Sequence, residues 1–154
     1  MQAQIDVSSP FGPLCITAKN GAITALSWGH SVAGATPDCG VLSEAAQQLE
    51  AYFDGDLKNF DLPLYVEGSD FQRAVCAAMS AIAFGDTRTY GDIAKQLNAP
   101  AQAVGQACGG NPIPIIIPCH RVLAATVLGG FSAAGGVETK VALLRHEGAA
   151  GLLI

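Results

Sequence analysis

The chain has 154 residues, half of them hydrophobic, with a formal net charge of -5. That length holds one ordinary domain or two small lobes with a substantial interior. No apolar run approaches the roughly 18 residues that a membrane helix needs, and the opening MQAQIDVSSPFG lacks a charged segment followed by an apolar one, so the expectation is a cytoplasmic protein without a membrane partner.

The charge is unevenly divided. Residues 1–69 carry eight acids against Lys19 and Lys58, whereas residues 70–154 carry five acids against six bases. A polyanionic partner is therefore admissible only at the rear half, with weak non-specific affinity. Five cysteines, an odd number without a CxxC pair, argue against both a disulfide framework and a zinc ribbon.

Along the first 30 residues apolar and polar positions alternate, and KNG at 19–21 supplies turn chemistry between two strand-like runs. This predicts a hairpin within a small antiparallel sheet, in which Cys15 is buried. VLSEAAQQLEAYFDG then has helical spacing and stops at Gly55, and DLPLYVEG reads as a strand or an extended linker.

In the second half, Ser69 with Gln72 marks a capping box opening FQRAVCAAMSAIA, whose pattern buries Cys76, and Thr89 with Asp92 opens YGDIAKQL. Asn98-Ala99-Pro100 breaks the chain before AQAVGQACGG, a short helix of small residues. Two short helices across a tight turn fit a helix-turn-helix and equally fit any helical lobe. A last helix runs from about Val137 to Glu147, ending at Gly148.

The chemistry concentrates in NPIPIIIPCHRV, residues 111–122. Pro112, Pro114 and Pro118 restrict their own backbone and that of the preceding residue, which makes a stiff mount for a reactive group. Cys119 and His120 are adjacent, so in an extended segment their side chains point apart, and cooperation requires a bend or a bridging water. The carboxylate best placed by pattern to orient the imidazole is Glu147, in HEG at the end of the last helix. Such a histidine would draw the thiol proton and lower the thiol pKa. A buried cysteine beside a histidine satisfied by backbone is the plainer alternative.

IPCHRV, preceded by GNP and followed by GGFS and a GG…K…LL…HEG tail, resembles the O6-alkylguanine-DNA alkyltransferases, the methylated-DNA-protein-cysteine methyltransferases. The resemblance continues upstream through AVGQACGGNP, GDTRTYGDIA and FQRAVCAAMSAI. It implies an α/β N-terminal lobe over 1–65, a small antiparallel sheet with a helix in a ribonuclease-H-like arrangement. It also implies a mainly α C-terminal lobe over 66–154, with a helix-turn-helix that binds DNA and accepts the alkyl group.

The activity so implied is single-turnover repair. Double-stranded DNA carrying O6-alkylguanine is bound, the damaged base is flipped out, and its alkyl group passes to the motif cysteine. Cys119 is then the nucleophile, His120 the base acting through water, and Glu147 the orienting carboxylate. Asn111 supports the turn, and Tyr90 protonates the departing guanine. Gln102, Ala103, Val104, Gly105, Arg121 and Thr89 are the expected DNA-binding residues, and Tyr90, Phe131 and Ser132 the substrate-binding ones. No metal or cofactor is expected, and the protein is expected to be a monomer.

Two departures from the family pattern stand out. Gln102 occupies the place of an arginine that fills the gap left by the flipped base, and no Lys or Arg occurs between Lys95 and Arg121. These motivate an alternative: a degenerate homologue that binds lesions or a protein partner without efficient repair. A cysteine hydrolase is a further reading, for which no motif supplies an oxyanion hole.

Overall fold

The computed structural model describes residues 2–30, 40–124 and 136–149. The chain forms two compact units, Met1–Glu67 and Gly68–Ile154.

In the first unit, β1 (Gln2–Val7), β2 (Leu14–Lys19) and β3 (Ala22–Trp28) form an antiparallel sheet in that order. Asn20 and Gly21 both take positive φ, 52° and 81°, which matches the tight hairpin turn expected of KNG. The helix α1 (Val41–Phe53) buries Leu42, Ala45, Leu49 and Tyr52 along one stripe and packs against the strands. Cys15 is buried in β2, as its alternating context predicts. The DLPLYVEG segment is extended: Ile23 N–H donates to Pro63 O at 2.8 Å and Tyr65 N–H donates to Ile23 O at 2.9 Å. It thereby covers part of the β3 edge.

In the second unit, α2 (Asp70–Ser80), α3 (Tyr90–Leu97), α4 (Ala101–Gly109) and α5 (Val137–His146) enclose a core that includes Val75, Met79, Val104, Ile113, Val122 and Leu143. Cys76 is buried in α2. Thr89 and Asp92 form both halves of a capping box at α3, each bond 3.0 Å. At α2 only half of the expected box forms. Ser69 Oγ accepts from Gln72 N–H at 3.0 Å, but the Gln72 side chain turns away and donates to Ala107 O at 2.7 Å.

Asn98 ends α3 in the left-handed conformation, φ 53°, and Pro100 precedes α4, giving the tight helix–helix turn expected of NAP. Nothing in the alternation of residues announces a two-stranded parallel ladder, β4 (Arg88–Thr89) with β5 (Val122–Leu123). It joins the start of α3 to the chain just after CHR, and two residues are too few to carry a periodic signal.

Candidate active site

The proline-rich segment is folded back on itself. Ile117 N–H donates to Ile113 O at 2.9 Å, and Asn111 ties both ends of the bend. Its Nδ2 donates to Ile117 O at 2.9 Å while its Oδ1 accepts from Ile113 N–H at 3.0 Å. The fold-back holds Ile115 at φ 72°, a conformation that costs a β-branched residue about 1–3 kcal/mol. All four isoleucines of the segment are buried.

This bend delivers Cys119 into a 3-10 turn, Cys119–Arg121, closed by Arg121 N–H donating to Pro118 O at 3.0 Å. The segment is thus not extended at the cysteine. Cys119 and His120 occupy a turn, the bend that their cooperation requires. Cys119 retains 7% exposure, while His120 is fully buried.

His120 Nε2 lies 2.7 Å from Glu147 Oε2, the pairing expected from HEG. Glu147 caps α5, whose buried Leu143 and Leu144 anchor it. His120 Nδ1 is buried and has no hydrogen-bond partner among the described residues. Burial lowers the His120 pKa despite the Glu147 hydrogen bond, so the ring is neutral at neutral pH.

The thiol departs from expectation. Burial raises the Cys119 pKa, against hydrogen bonding from Asn111 and the positive charge of Lys140. The resting group is the thiol rather than a preformed thiolate, and its proton must leave during the reaction.

Arg121 corrects another expectation. Placed among the DNA-binding residues by the sequence, it is buried at 5% exposure, and its guanidinium is committed inside the protein. Nε donates to Glu147 Oε1 at 2.8 Å, Nη2 to Glu147 Oε2 at 2.9 Å, and Nη1 to Ile82 O at 2.6 Å. Val104 is likewise fully buried in the core, so its side chain is not on the surface of α4. Thr89 is half-buried, with its hydroxyl oxygen used as the α3 cap. Gln102 is exposed, Ala103 and Gly105 are half-exposed, and a Cβ placed on Gly105 would meet no neighbour. Phe131 and Ser132 lie outside the described residues.

Tyr90 begins α3 and is half-buried. Burial raises its pKa, and the neighbouring Cys108 and Cys119 raise it further, which keeps the phenol protonated. Over its ring, 5.9 Å from the centroid, stands Lys140 Nζ, which also donates to Val122 O at 2.7 Å. Lys140 is fully buried, and burial pulls its pKa down to about 8. This lysine stands in the GG…K…LL…HEG tail motif, whose pattern assigns it no place in the site. The available signal was its position, a lysine one turn before Leu143-Leu144 on the face that packs inward. Cys108, in α4, completes the surroundings, its thiol pushed up to about 12 by burial and by Cys119.

Fold and site together define a two-unit protein whose helix-turn-helix lies beside a buried cysteine served by a His–Glu pair. Family models agree. "6-O-methylguanine DNA methyltransferase, ribonuclease-like domain" matches residues 7–66, and "6-O-methylguanine DNA methyltransferase, DNA binding domain" matches residues 70–149. The chain belongs to the 6-O-methylguanine DNA methyltransferase family.

It is similar to the methylated-DNA–protein-cysteine methyltransferase of Mycobacterium tuberculosis (strain H37Rv), 45% identical over 149 residues that cover 92% of this chain and 89% of the relative. The Methanosarcina acetivorans protein of the same name is 51% identical over 108 residues, 68% of each chain. Among solved structures, the Mycobacterium tuberculosis O6-methylguanine methyltransferase superposes with a TM-score of 0.85 at 42% identity, covering 100% of this chain and 97% of the other. A crystal structure of Mycobacterium tuberculosis OGT in complex with DNA gives a TM-score of 0.82 at 45% identity, covering 96% and 92%.

Proposed function

We propose that this protein is a single-turnover DNA repair alkyltransferase that moves the alkyl group of O6-alkylguanine in double-stranded DNA to its own Cys119. The observation that carries the reading is the pairing of His120 Nε2 with Glu147 Oε2 at 2.7 Å in the turn that holds Cys119, with Nδ1 left unpartnered among the described residues.

In the reaction, the Cys119 Sγ–H proton passes through a bridging water to His120 Nδ1, and Glu147 stabilises the imidazolium that forms. The sulfur attacks the alkyl carbon, forming the S–C bond as the C–O6 bond breaks. The electron pair of that bond leaves on guanine, and the Tyr90 phenol supplies a proton to the departing base. Lys140, beside both Tyr90 and Cys119, stabilises the negative charge that develops on either. The product thioether is not turned over, so each molecule reacts once, and no metal or cofactor takes part.

On the DNA side, α4 is the element offered to the minor groove. Gln102 is exposed on it at the place where the family pattern has the stack-filling arginine, and the small residues Ala103 and Gly105 permit close backbone approach. The relative whose complex with DNA is known supports DNA as the partner. The reading extends to a monomeric, cytoplasmic protein; among the described residues no helix is long and apolar enough to cross a membrane. A degenerate homologue is the less favoured reading, because Cys119, His120, Glu147 and Asn111 all stand in one connected arrangement.

Incubation with free O6-benzylguanine, followed by intact-mass measurement, tests this. A single benzyl adduct is expected, absent from Cys119→Ala; an unmodified wild-type protein would refute the thiol chemistry. Methylated duplex then tests repair: one methyl group transferred per molecule, with none transferred counting for the degenerate homologue.

A further inference from the structure

The proton relay proposed above, on which this inference rests, makes a demand that its own members do not guarantee. His120 must present a lone pair, not a proton, at Nδ1. A neutral imidazole has two tautomers, and only one of them is a base on the required side.

Arg121 decides between them. A guanidinium has donors and no acceptor. Its Nε and Nη2 address the two oxygens of Glu147 separately, at 2.8 and 2.9 Å, so both oxygens accept. An acid accepting at both oxygens from such a fork is a carboxylate, and the 2.7 Å contact from His120 Nε2 to Oε2 then has the ring as donor. With the ring proton on Nε2, Nδ1 is the lone pair. The guanidinium is itself fixed, by its 2.6 Å bond to Ile82 O and by the Phe84 ring, whose centroid is 5.8 Å from Cζ.

We propose that Arg121 is the positioning residue that sets the tautomer of His120: by forking both oxygens of Glu147 it keeps that acid an acceptor, places the ring proton on Nε2, and leaves Nδ1 as the base for Cys119. Without the guanidinium, a carboxyl this deeply buried takes up a proton. The acid then donates to Nε2 and the ring proton moves to Nδ1, where it faces the thiol as a donor. The base is lost although every other group is still in place.

Among the described residues, the charged and titratable groups around the His120–Glu147 pair include Arg121 and the adjacent Cys119 from the turn and Lys140 from α5. Tyr90 from α3, Cys108 from α4 and Cys76 from α2 surround the thiol. Lys140, Tyr90 and Cys108 are common to wild type and Arg121 variants, so the ring ¹⁵N spectrum of His120, read beside the rate profile, separates its tautomer from their titrations.

The test uses the full chain as wild type, Arg121→Lys and Arg121→Met, with two readouts. One is benzyl transfer from free O6-benzylguanine against pH; the other is the ring ¹⁵N spectrum of His120. Wild type is expected in the Nε2–H tautomer. Arg121→Met is expected to transfer about 100-fold more slowly near neutral pH, the contribution of a general base, and to recover much of the loss as the pH is raised and Glu147 ionises. Arg121→Lys, which keeps a charge, is expected to lose less and to shift its acid limb less.

A loss in Arg121→Met that is the same at every pH marks a merely structural role and overturns the proposal. So does a wild-type ring carrying its proton on Nδ1. Should Arg121→Met not fold, the wild-type spectrum and the Arg121→Lys profile decide. Should wild type transfer no benzyl group, the functional reading falls, and the ring spectra of wild type and Arg121→Lys still judge this inference.

Discussion

His120 and Glu147 stand 27 positions apart in the chain, yet their side chains meet at 2.7 Å with neither exposed to solvent. A buried imidazole held by a buried acid resists protonation by solvent while remaining able to accept one proton from a neighbour. That combination fixes the pH behaviour of the site.

Burial lowers the His120 pKa, so the neutral base persists to a pH below the ordinary histidine value of about 6.5. Transfer from free O6-benzylguanine should therefore keep its rate through about pH 6.5 and lose half of it only below that value. Because the folded pKa lies under the unfolded one, the stability this histidine contributes is complete above about pH 6.5 and is lost as pH falls through the folded value. Rates and urea midpoints measured from neutral to acid pH check both; an acid limb at or above the ordinary value would contradict them.

Glu147→Gln should be costly twice over. It leaves the Arg121 guanidinium buried without its anion, worth about 3–5 kcal/mol of stability, and it removes the acceptor that orients His120. Urea denaturation should show the stability loss. Residual transfer in the folded fraction should fall by about 100-fold.

Lys140→Met isolates the buried ammonium. With a folded pKa of about 8 against an ordinary 10.5, the lysine's contribution to stability is present above the ordinary value and is lost as pH falls through about 8. The stability difference, wild type minus variant, should therefore grow between those two pH values. Loss of the charge beside Cys119 should slow transfer by about tenfold, the equivalent of one pKa unit on the thiol. A variant with unchanged rate would remove Lys140 from the electrostatics of the site.

Gln102→Arg separates DNA engagement from chemistry. The residue is exposed at the start of α4, where a longer cationic side chain fills an opened base stack better and contacts phosphate. Transfer from alkylated duplex should rise, and transfer from free base should stay nearly the same. Equal rates for both proteins on duplex would show that filling the stack is not limiting.

Much of this molecule was legible because local rules and tertiary structure agree. The KNG turn, the Thr89–Asp92 capping box and the Asn98-Ala99-Pro100 break each carry their own conformational cause within three or four residues. The Cys119–His120–Glu147 set was legible through motif and resemblance. What escaped depends on contacts that sequence spacing does not encode. The Gln72 side chain, which the capping box would use as an acceptor for the Ser69 N–H, instead turns inward and donates through Nε2 to Ala107 O, 35 positions away. Arg121 read as a surface cation because charge alone says nothing about burial, and its partners Ile82 and Glu147 come from opposite sides along the chain. Lys140 was hidden for the same reason.

The acid that orients His120 caps α5, on the C-terminal side of every other group in the site. During synthesis, then, the sulfur emerges before the helix that readies it. Until that helix docks, Cys119 is an ordinary thiol. For a molecule that reacts only once, the nucleophile is thus readied by the last helix of the site to be made.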